Sequence, residues 1–383
     1  MIITPYQTIG IIGGGQLGQM LTLAAKSMGF YVVILDPQEN CCAAQVADEH
    51  IVTAYDDQKG LQLLAEKADV LTYEFENIPA TALEEVMMTG YLPQGTKPLH
   101  LTQHRLREKQ ALAQLDIPIA PFQAVTTQAE LETALQIIGY PAVLKTCFGG
   151  YDGKGQCVLY TPADVEKAQQ LLPADCVLEA FIQFDYEVSI ITTRSVTGEM
   201  TTFPIGLNEH RNQMLARTLV PAPCSQGIVN QVEALAQKLM EHHELIGTMA
   251  IECFIAGETV YINELAPRPH NSGHYTIEGC FVSQFEQHIR AICGWPLGDT
   301  SLRQATVMIN LYGQDMPRFL QMVPELPTNA YVHCYQKGEM KVNRKMGHVT
   351  FIDTPQASAE KNAKIVYNRL GYCDSSTGGK RND

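Results

Sequence analysis

Several things are missing from this 383-residue chain, and each absence excludes something. No apolar run is long enough to span a bilayer, and the opening run Ile9–Ile12 is short and ends in glycines. No signal-peptide pattern precedes it, so a cytoplasmic protein is expected. The 11 cysteines are odd in number and contain no Cys-x-x-Cys pair, although Cys41 and Cys42 are adjacent. That usage fits reduced, mostly structural thiols and argues against a disulfide framework or a zinc site. Excess positive charge is lacking too. A formal charge of −14 argues against a general nucleic-acid or membrane-surface binder, but leaves room for local basic pockets that hold small anions. No Gly-Lys-Ser/Thr opens a helix, which excludes a Walker loop, and there are no internal repeats.

What remains has the apolar content to form true cores, and the length suggests two or three domains. Residues 1–100 alternate strand and helix. Ile9–Ile12, Tyr31–Leu35 and Val70–Tyr73 read as strands, and Leu17–Met28 and about Pro79–Met88 as helices. Such alternation predicts a parallel sheet with crossover helices, an α/β unit. Gly90–His100, with Pro93, Gly95 and Pro98, reads as a linker. Residues 101–295 read as an α+β domain with antiparallel sheets. Its strands fall at Pro121–Val125, Ala142–Cys147, Gln156–Tyr160, Val177–Ile182 and Glu187–Arg194, with a long helix over Gln226–His243. Residues 296–383 read as a smaller strand-rich segment, with strands near 306–312, 330–336 and 348–352, a helix near 355–370 and a polar tail from Ser375.

Two carboxylates carry the strongest chemical signal. Glu252 and Glu264 flank a turn at Ala256-Gly257-Glu258-Thr259. An odd-length turn centred on Glu258 would set the two acids directly opposite each other on one face of a hairpin, with Cβ atoms about 4.5–5.5 Å apart. Such a pair repels unless a cation lies between, and Mg²⁺ with nucleotide phosphates suits it.

Two glycine-rich segments add to this. Gly13-Gly14-Gly15-Gln16-Leu17-Gly18, between a strand and a helix and followed by Asp36, matches a dinucleotide fingerprint. Its free N–H groups equally suit a sugar phosphate, or a purely structural turn. The second segment, Gly149–Gln156, follows the strand that ends in Lys145 and has four glycines in eight residues. Such a loop can close on phosphate oxygens, and Lys145 suits a fixed phosphate contact. Alone, Lys145 reads as a solvated strand-end lysine; together with the glycine loop and the acid pair it reads as functional. Glu179-Ala180-Phe181-Ile182 could hold an adenine and Glu187 a ribose, or both could be an ordinary strand connection. Lys337, Lys341, Arg344 and Lys345 form the densest basic cluster of an acidic chain, suited to a phosphate or simply solvated.

The order of these residues resembles the ATP-grasp superfamily and, within it, the 5-(carboxyamino)imidazole ribonucleotide synthetase family of purine biosynthesis. The strings that carry the resemblance are Gly13–Met20, Tyr73-Glu74-Phe75-Glu76-Asn77-Ile78, Gly150–Gln156, Asn263–His274 and Gly347-His348, which together span residues 9 to about 353. The resemblance implies a pre-ATP-grasp domain (1–100), an ATP-grasp domain (101–295, with a lid at about 121–185), a small C-terminal domain (296–383) and a homodimer. It implies that ATP, Mg²⁺ and bicarbonate carboxylate the exocyclic amine of 5-aminoimidazole ribonucleotide. By matching position, Arg105, Lys145 and the loop Gly150, Tyr151, Asp152, Gly153, Lys154, Gly155 and Gln156 would hold ATP phosphates. Glu179, Ala180, Phe181 and Ile182 would form the adenine hinge, with Glu187 at the ribose and His210 and Asn263 nearby. Glu252 and Glu264 would bind Mg²⁺. Gln16, Leu17, Glu76, Asn271, Lys337, Arg344 and Lys345 would surround the ribonucleotide, which makes the first glycine motif part of that site and Asp36 an ordinary strand-end acid.

In the mechanism this implies, Arg268 would grip bicarbonate with its fork. His270 would hydrogen-bond the carboxyl group or move a proton from the amine. Tyr151 and Asp152 would close over the substrates. A dehydrogenase built on the first glycine motif is the rival from another class, but it leaves the second loop and the acid pair unused. A silent ATP-binding module, or a related carboxylase or formyl-transfer ligase, is the alternative nearer at hand.

Overall fold

A computed structural model of the chain describes residues 1–150 and 154–372. Tyr151, Asp152, Gly153 and the polar tail lie outside the described residues. The first sheet is parallel, with strand order Glu49–Ile51, Tyr31–Leu35, Thr8–Ile12, Val70–Tyr73. Its strands are apolar on both sides because helices cover both faces. Ile9, Ile11, Val32 and Ile34 pack with Leu17, Met20 and Leu21 of helix Gln16–Ser27, and with Phe285, Ile289 and Ile292 of helix Gln284–Cys293. Ile12, Val33, Leu35 and Leu71 pack on the other side with Leu61, Leu64, Leu83 and Val86. Strand Glu49–Ile51 and helix Gln58–Lys67 complete the alternation and were not predicted. They come from a three-residue strand and from a helix whose buried face is only Gly60, Leu61, Leu64 and Ala65, with Leu63 exposed.

The segment predicted as a linker is instead packed. Leu92 and Leu99 join the core of the first sheet, and the helix Lys97–Thr102 begins within the segment and runs just past it, where Leu101 joins the core of the central sheet. Its prolines and glycines misled the prediction. Pro98 lies at the helix start, where its missing N–H costs nothing.

The central sheet has nine antiparallel strands. They run in the order Thr259–Ala266, Gly247–Ala256, Tyr186–Arg194, Gly206–Arg211, Met214–Val220, Ala305–Tyr312, Lys345–Asp353, Ala330–Cys334, and Met200–Thr202 pairs with Tyr186–Arg194. The C-terminal strands therefore extend the same sheet, with Arg217 opposite Ile309. A smaller antiparallel sheet, in the order Phe122–Val125, Cys176–Ala180, Ala142–Thr146, Gln156–Leu159, carries Lys145 and Glu179.

Strand alternation decides which side of the central sheet does chemistry. Helix Gln226–His242, capped by Ser225, presents Ile228, Val232, Ala236 and Leu239 at helical spacing. They pack on Val188, Ile190, Met249, Ile251 and Cys253. A strand has period two, so the intervening Glu187, Ser189 and Glu252 point to the opposite face.

The ten cysteines among the described residues are free thiols, nearly all at least partly buried. Among the described residues no helix is long and apolar enough to cross a membrane.

Candidate active site

Glu252 and Glu264 face each other, but not for the predicted reason. The turn is even: Ala256 pairs with Thr259, leaving two residues, Gly257 and Glu258, at the tip. Carried inward, that register would put the acids on opposite faces. A bulge between Cys253 and Glu252 corrects it. Cys253 pairs with Ile262 and Glu252 with Glu264, so Asn263 is the extra residue. A bulge adds one residue to one strand and re-aims its side chains.

Glu187 reaches the same face. Burial and then the Glu264 charge push its carboxyl up to about 8. Glu252 is raised well above the ordinary range by burial and by the charges of Glu187 and Glu264. His210 Nδ1 lies 3.5 Å from Glu187 Oε2, and His270 Nε2 3.7 Å from Glu252 Oε1. Among the described residues no three His, Cys, Asp or Glu side chains form a ready metal cage. Mg²⁺ does not need one, since it commonly takes one or two carboxylates and draws its remaining ligands from phosphate and water. Two facing carboxylates, one buried and one open to solvent, fit such a cation.

These acids also set a pH dependence. Glu187 favours protonation in the folded state over the range from its ordinary 4.5 to about 8, so its contribution to stability is full below 4.5 and is lost as pH rises through about 8. In nucleotide-free protein, the melting-temperature difference between wild type and Glu187→Gln should therefore fall steadily across that window. A difference that does not change with pH would contradict the assignment.

Opposite the acids lies a group of cations. Lys109 Nζ and Lys145 Nζ are each 3.1 Å from Glu179 Oε2. Arg105 Nη1 lies 3.6 Å from Glu264 Oε2, and its Nη2 donates to the Gly150 carbonyl. Lys109 was missed. No motif marks it, and only its burial beside Glu179 reveals it. Glu108, also missed, is buried, and its carboxyl is pushed up to about 8 by burial. In the hinge segment, the N–H groups of Ala180 and Phe181 donate to the Pro121 and Pro141 carbonyls. Phe181 is partly exposed beside Tyr160.

The first glycine motif proves structural at most of its N–H groups. Glu74 is buried and accepts from Gly15 N–H at 2.7 Å and Gly18 N–H at 2.9 Å. A Cβ at Gly13 would lie 2.4 Å from Glu74 Cγ, which is why no side chain fits there. Asp36 is no ordinary strand-end acid. It is buried and accepts from Gly14 N–H, Gln38 N–H and the Tyr55 hydroxyl. These carboxylates occupy N–H groups that a dinucleotide pyrophosphate would need.

Glu76, beside this motif, forms a two-pronged pair with Arg268 through Nε and Nη2, while Arg268 Nη1 donates to the Pro269 carbonyl. Burial opposes the Arg268 charge, but the Glu76 carboxylate more than restores it. Lys337 crosses to the same region. Burial lowers it to about 8, while the nearby Cys42 and Glu74 charges act in the opposite sense. Arg344 Nη1 donates to the Lys337 carbonyl. Lys345 influences both Glu252 and His270 electrostatically. Lys341 stays outside this group and pairs with Glu339 in solvent. Asn271 is buried, and neither amide atom has a partner among the described residues. Gln16 and Leu17 open the helix that follows the glycines.

His270 has a definite tautomer. Ser272 N–H donates to His270 Nδ1, so that nitrogen is an acceptor and the proton lies on Nε2. Ser189 Oγ donates to Ser272 Oγ, which lies 2.9 Å from Nδ1. Burial, followed by the Arg268 charge, holds the ring well below the ordinary histidine range and therefore neutral.

Three family models match the chain: a ribonucleotide synthetase preATP-grasp domain over 6–103, an ATP-grasp domain over 110–285, and a phosphoribosylaminoimidazole carboxylase C-terminal domain over 306–362. The N5-carboxyaminoimidazole ribonucleotide synthase of Bacillus subtilis is 46% identical over 357 residues, covering 93% of this chain and 94% of its own. A solved N5-carboxyaminoimidazole ribonucleotide synthetase in complex with ADP superposes with a TM-score of 0.93 at 48% identity, over 96% of this chain and 97% of that one. The Aspergillus clavatus enzyme, in complex with ADP and 5-aminoimidazole ribonucleotide, has a TM-score of 0.90 at 29% identity, over 96% and 99%. This chain belongs to the N5-carboxyaminoimidazole ribonucleotide synthase family.

Proposed function

We propose that this chain is an ATP-grasp ligase that carboxylates the exocyclic amine of 5-aminoimidazole ribonucleotide with bicarbonate, giving 5-(carboxyamino)imidazole ribonucleotide, ADP and phosphate in purine biosynthesis. The observation that carries the reading is the meeting of three charge groups: the Glu252–Glu264 pair, the Lys109–Glu179–Lys145 cluster, and the Arg268–Glu76 fork. The family relationship and the relatives solved with ADP and with the ribonucleotide support it.

Bicarbonate is a poor nucleophile and a poor electrophile. Phosphorylation by the γ-phosphate makes carboxyphosphate, which has a good leaving group, and the amine then attacks that carbon or the CO₂ it releases. The protein's task is mainly positioning and charge neutralisation. Lys145, Arg105 and the Gly150–Gln156 loop hold ATP phosphates. Glu179–Ile182 hold the adenine, Glu187 the ribose, and His210 and Asn263 lie nearby. Glu252 and Glu264 hold Mg²⁺, which neutralises phosphate charge when bound. Gln16, Leu17, Glu76, Asn271, Lys337, Arg344 and Lys345 surround the ribonucleotide. Arg268, fixed by Glu76, binds bicarbonate through the N–H groups that Glu76 and Pro269 leave over. The Nε2–H tautomer of His270 favours donating a hydrogen bond to the carboxyl group over accepting the amine proton. Residues 1–100, 101–295 and 296–383 act as the three working units, in a cytoplasmic homodimer.

Phosphate release from ATP and bicarbonate should be strongly stimulated by 5-aminoimidazole ribonucleotide and not by glycinamide ribonucleotide. Equal stimulation by both, or by neither, would overturn the acceptor assignment.

A further inference from the structure

We infer that Lys109 is a positioning residue of the nucleotide site, which acts through Glu179 to hold Lys145 and the small sheet in register with the body of the enzyme. The inference rests on the nucleotide reading above. Lys145 and Glu179 both belong to the small sheet. Val143 lies opposite Glu179 and Lys145 opposite Val177, so the two side chains project from the same face. Lys109 comes from a different element, the helix Arg105–Gln114, which precedes that sheet in the chain. One carboxylate oxygen, Glu179 Oε2, takes both ammonium groups at 3.1 Å, and the side chains of Lys109 and Glu179 are only 3% and 5% exposed. The ion pair therefore joins sheet to body in a place shielded from water, where salt screens it far less than at the surface.

The charge balance explains the need for a second lysine. With Lys145 alone, Glu179 would neutralise the cation meant for a phosphate. With two lysines on one carboxylate, the cluster keeps a net positive charge, and Arg105 lies close by. Glu179 Oε1 is buried without a partner among the described residues, so the carboxylate is anchored through one oxygen only. Neighbouring Glu108 does not compete strongly for Lys109, because burial keeps it largely protonated, up to about 8.

The test is calorimetric binding of ADP with Mg²⁺ to the full chain, as a double-mutant cycle. Lys109→Met should weaken ADP binding about tenfold, and Lys109→Arg should keep it within about threefold. In a Glu179→Gln background, Lys109→Met should have little further effect, because the residue through which it acts has already lost its charge. Wild-type affinity in Lys109→Met, or full additivity with Glu179→Gln, overturns the inference. If Lys109→Met does not fold, Lys109→Gln keeps a donor without the charge and replaces it in the cycle. Absence of ADP binding by the wild type would instead remove the nucleotide reading itself, an outcome distinct from unchanged mutant affinity.

Discussion

Arg268→Ala is expected to lower bicarbonate-dependent turnover by about 10²–10³-fold while ADP still binds within a few fold of wild type. The size follows from what the residue is. A guanidinium already oriented by a two-pronged carboxylate needs no reorganisation when charge develops beside it. Glu76 supplies that orientation and keeps Arg268 charged despite burial. ADP binding is the control, since the hydrogen bonds of Arg268 run to Glu76 and the Pro269 carbonyl, on the ribonucleotide side of the site. Truncation also strips Glu76 of its partner, so the ribonucleotide KM should rise as well. Near-normal turnover in the variant would remove Arg268 from the chemistry. A parallel loss of ADP binding would mean the site had collapsed rather than lost a donor.

Glu264→Gln should have the second largest effect. The Mg²⁺ concentration needed for half-maximal ATP binding should rise about tenfold or more, because an amide oxygen replaces one of two charged ligands. Removing the Glu264 charge also relieves Glu252 and Glu187, whose protons it helps to hold. In the absence of metal this relief offsets the ion pair lost with Arg105, so the variant should stay close to wild type in stability while it binds the Mg²⁺ complex less well. Superimposable Mg²⁺ titrations would exclude Glu264 as a ligand. A large loss of stability without metal would mean that the Arg105 ion pair outweighs the repulsion among the acids.

The hairpin shows how a sequence argument can reach the right geometry by the wrong route. Apolar alternation at Met249, Ile251 and Cys253 puts Glu252 on the free face, and this was legible from period two alone. The turn length was not. Ala256-Gly257-Glu258-Thr259 fits a two-residue turn as well as a longer one, and the missing residue is supplied by a bulge at Asn263, which leaves no mark in composition. Asp36 erred in the other direction. Its place at a strand end looked ordinary, yet it closes the glycine turn from beneath. Lys109 and Glu108 lie on a helix with little amphipathic signal and match no motif, so nothing local distinguished them from surface charges.

The sequence by itself determined the parallel first unit, the antiparallel strands that follow, and the family, because periodicity and long motif strings are properties of neighbouring residues. Only the tertiary structure decided which charges meet. Glu76 finds Arg268 across 192 positions, and Lys109 reaches Glu179 from another element. It also decided that the C-terminal strands complete the central sheet rather than forming one of their own. Such pairings depend on register and on which side chains are withdrawn from water together, and neither is a property of any local stretch of chain.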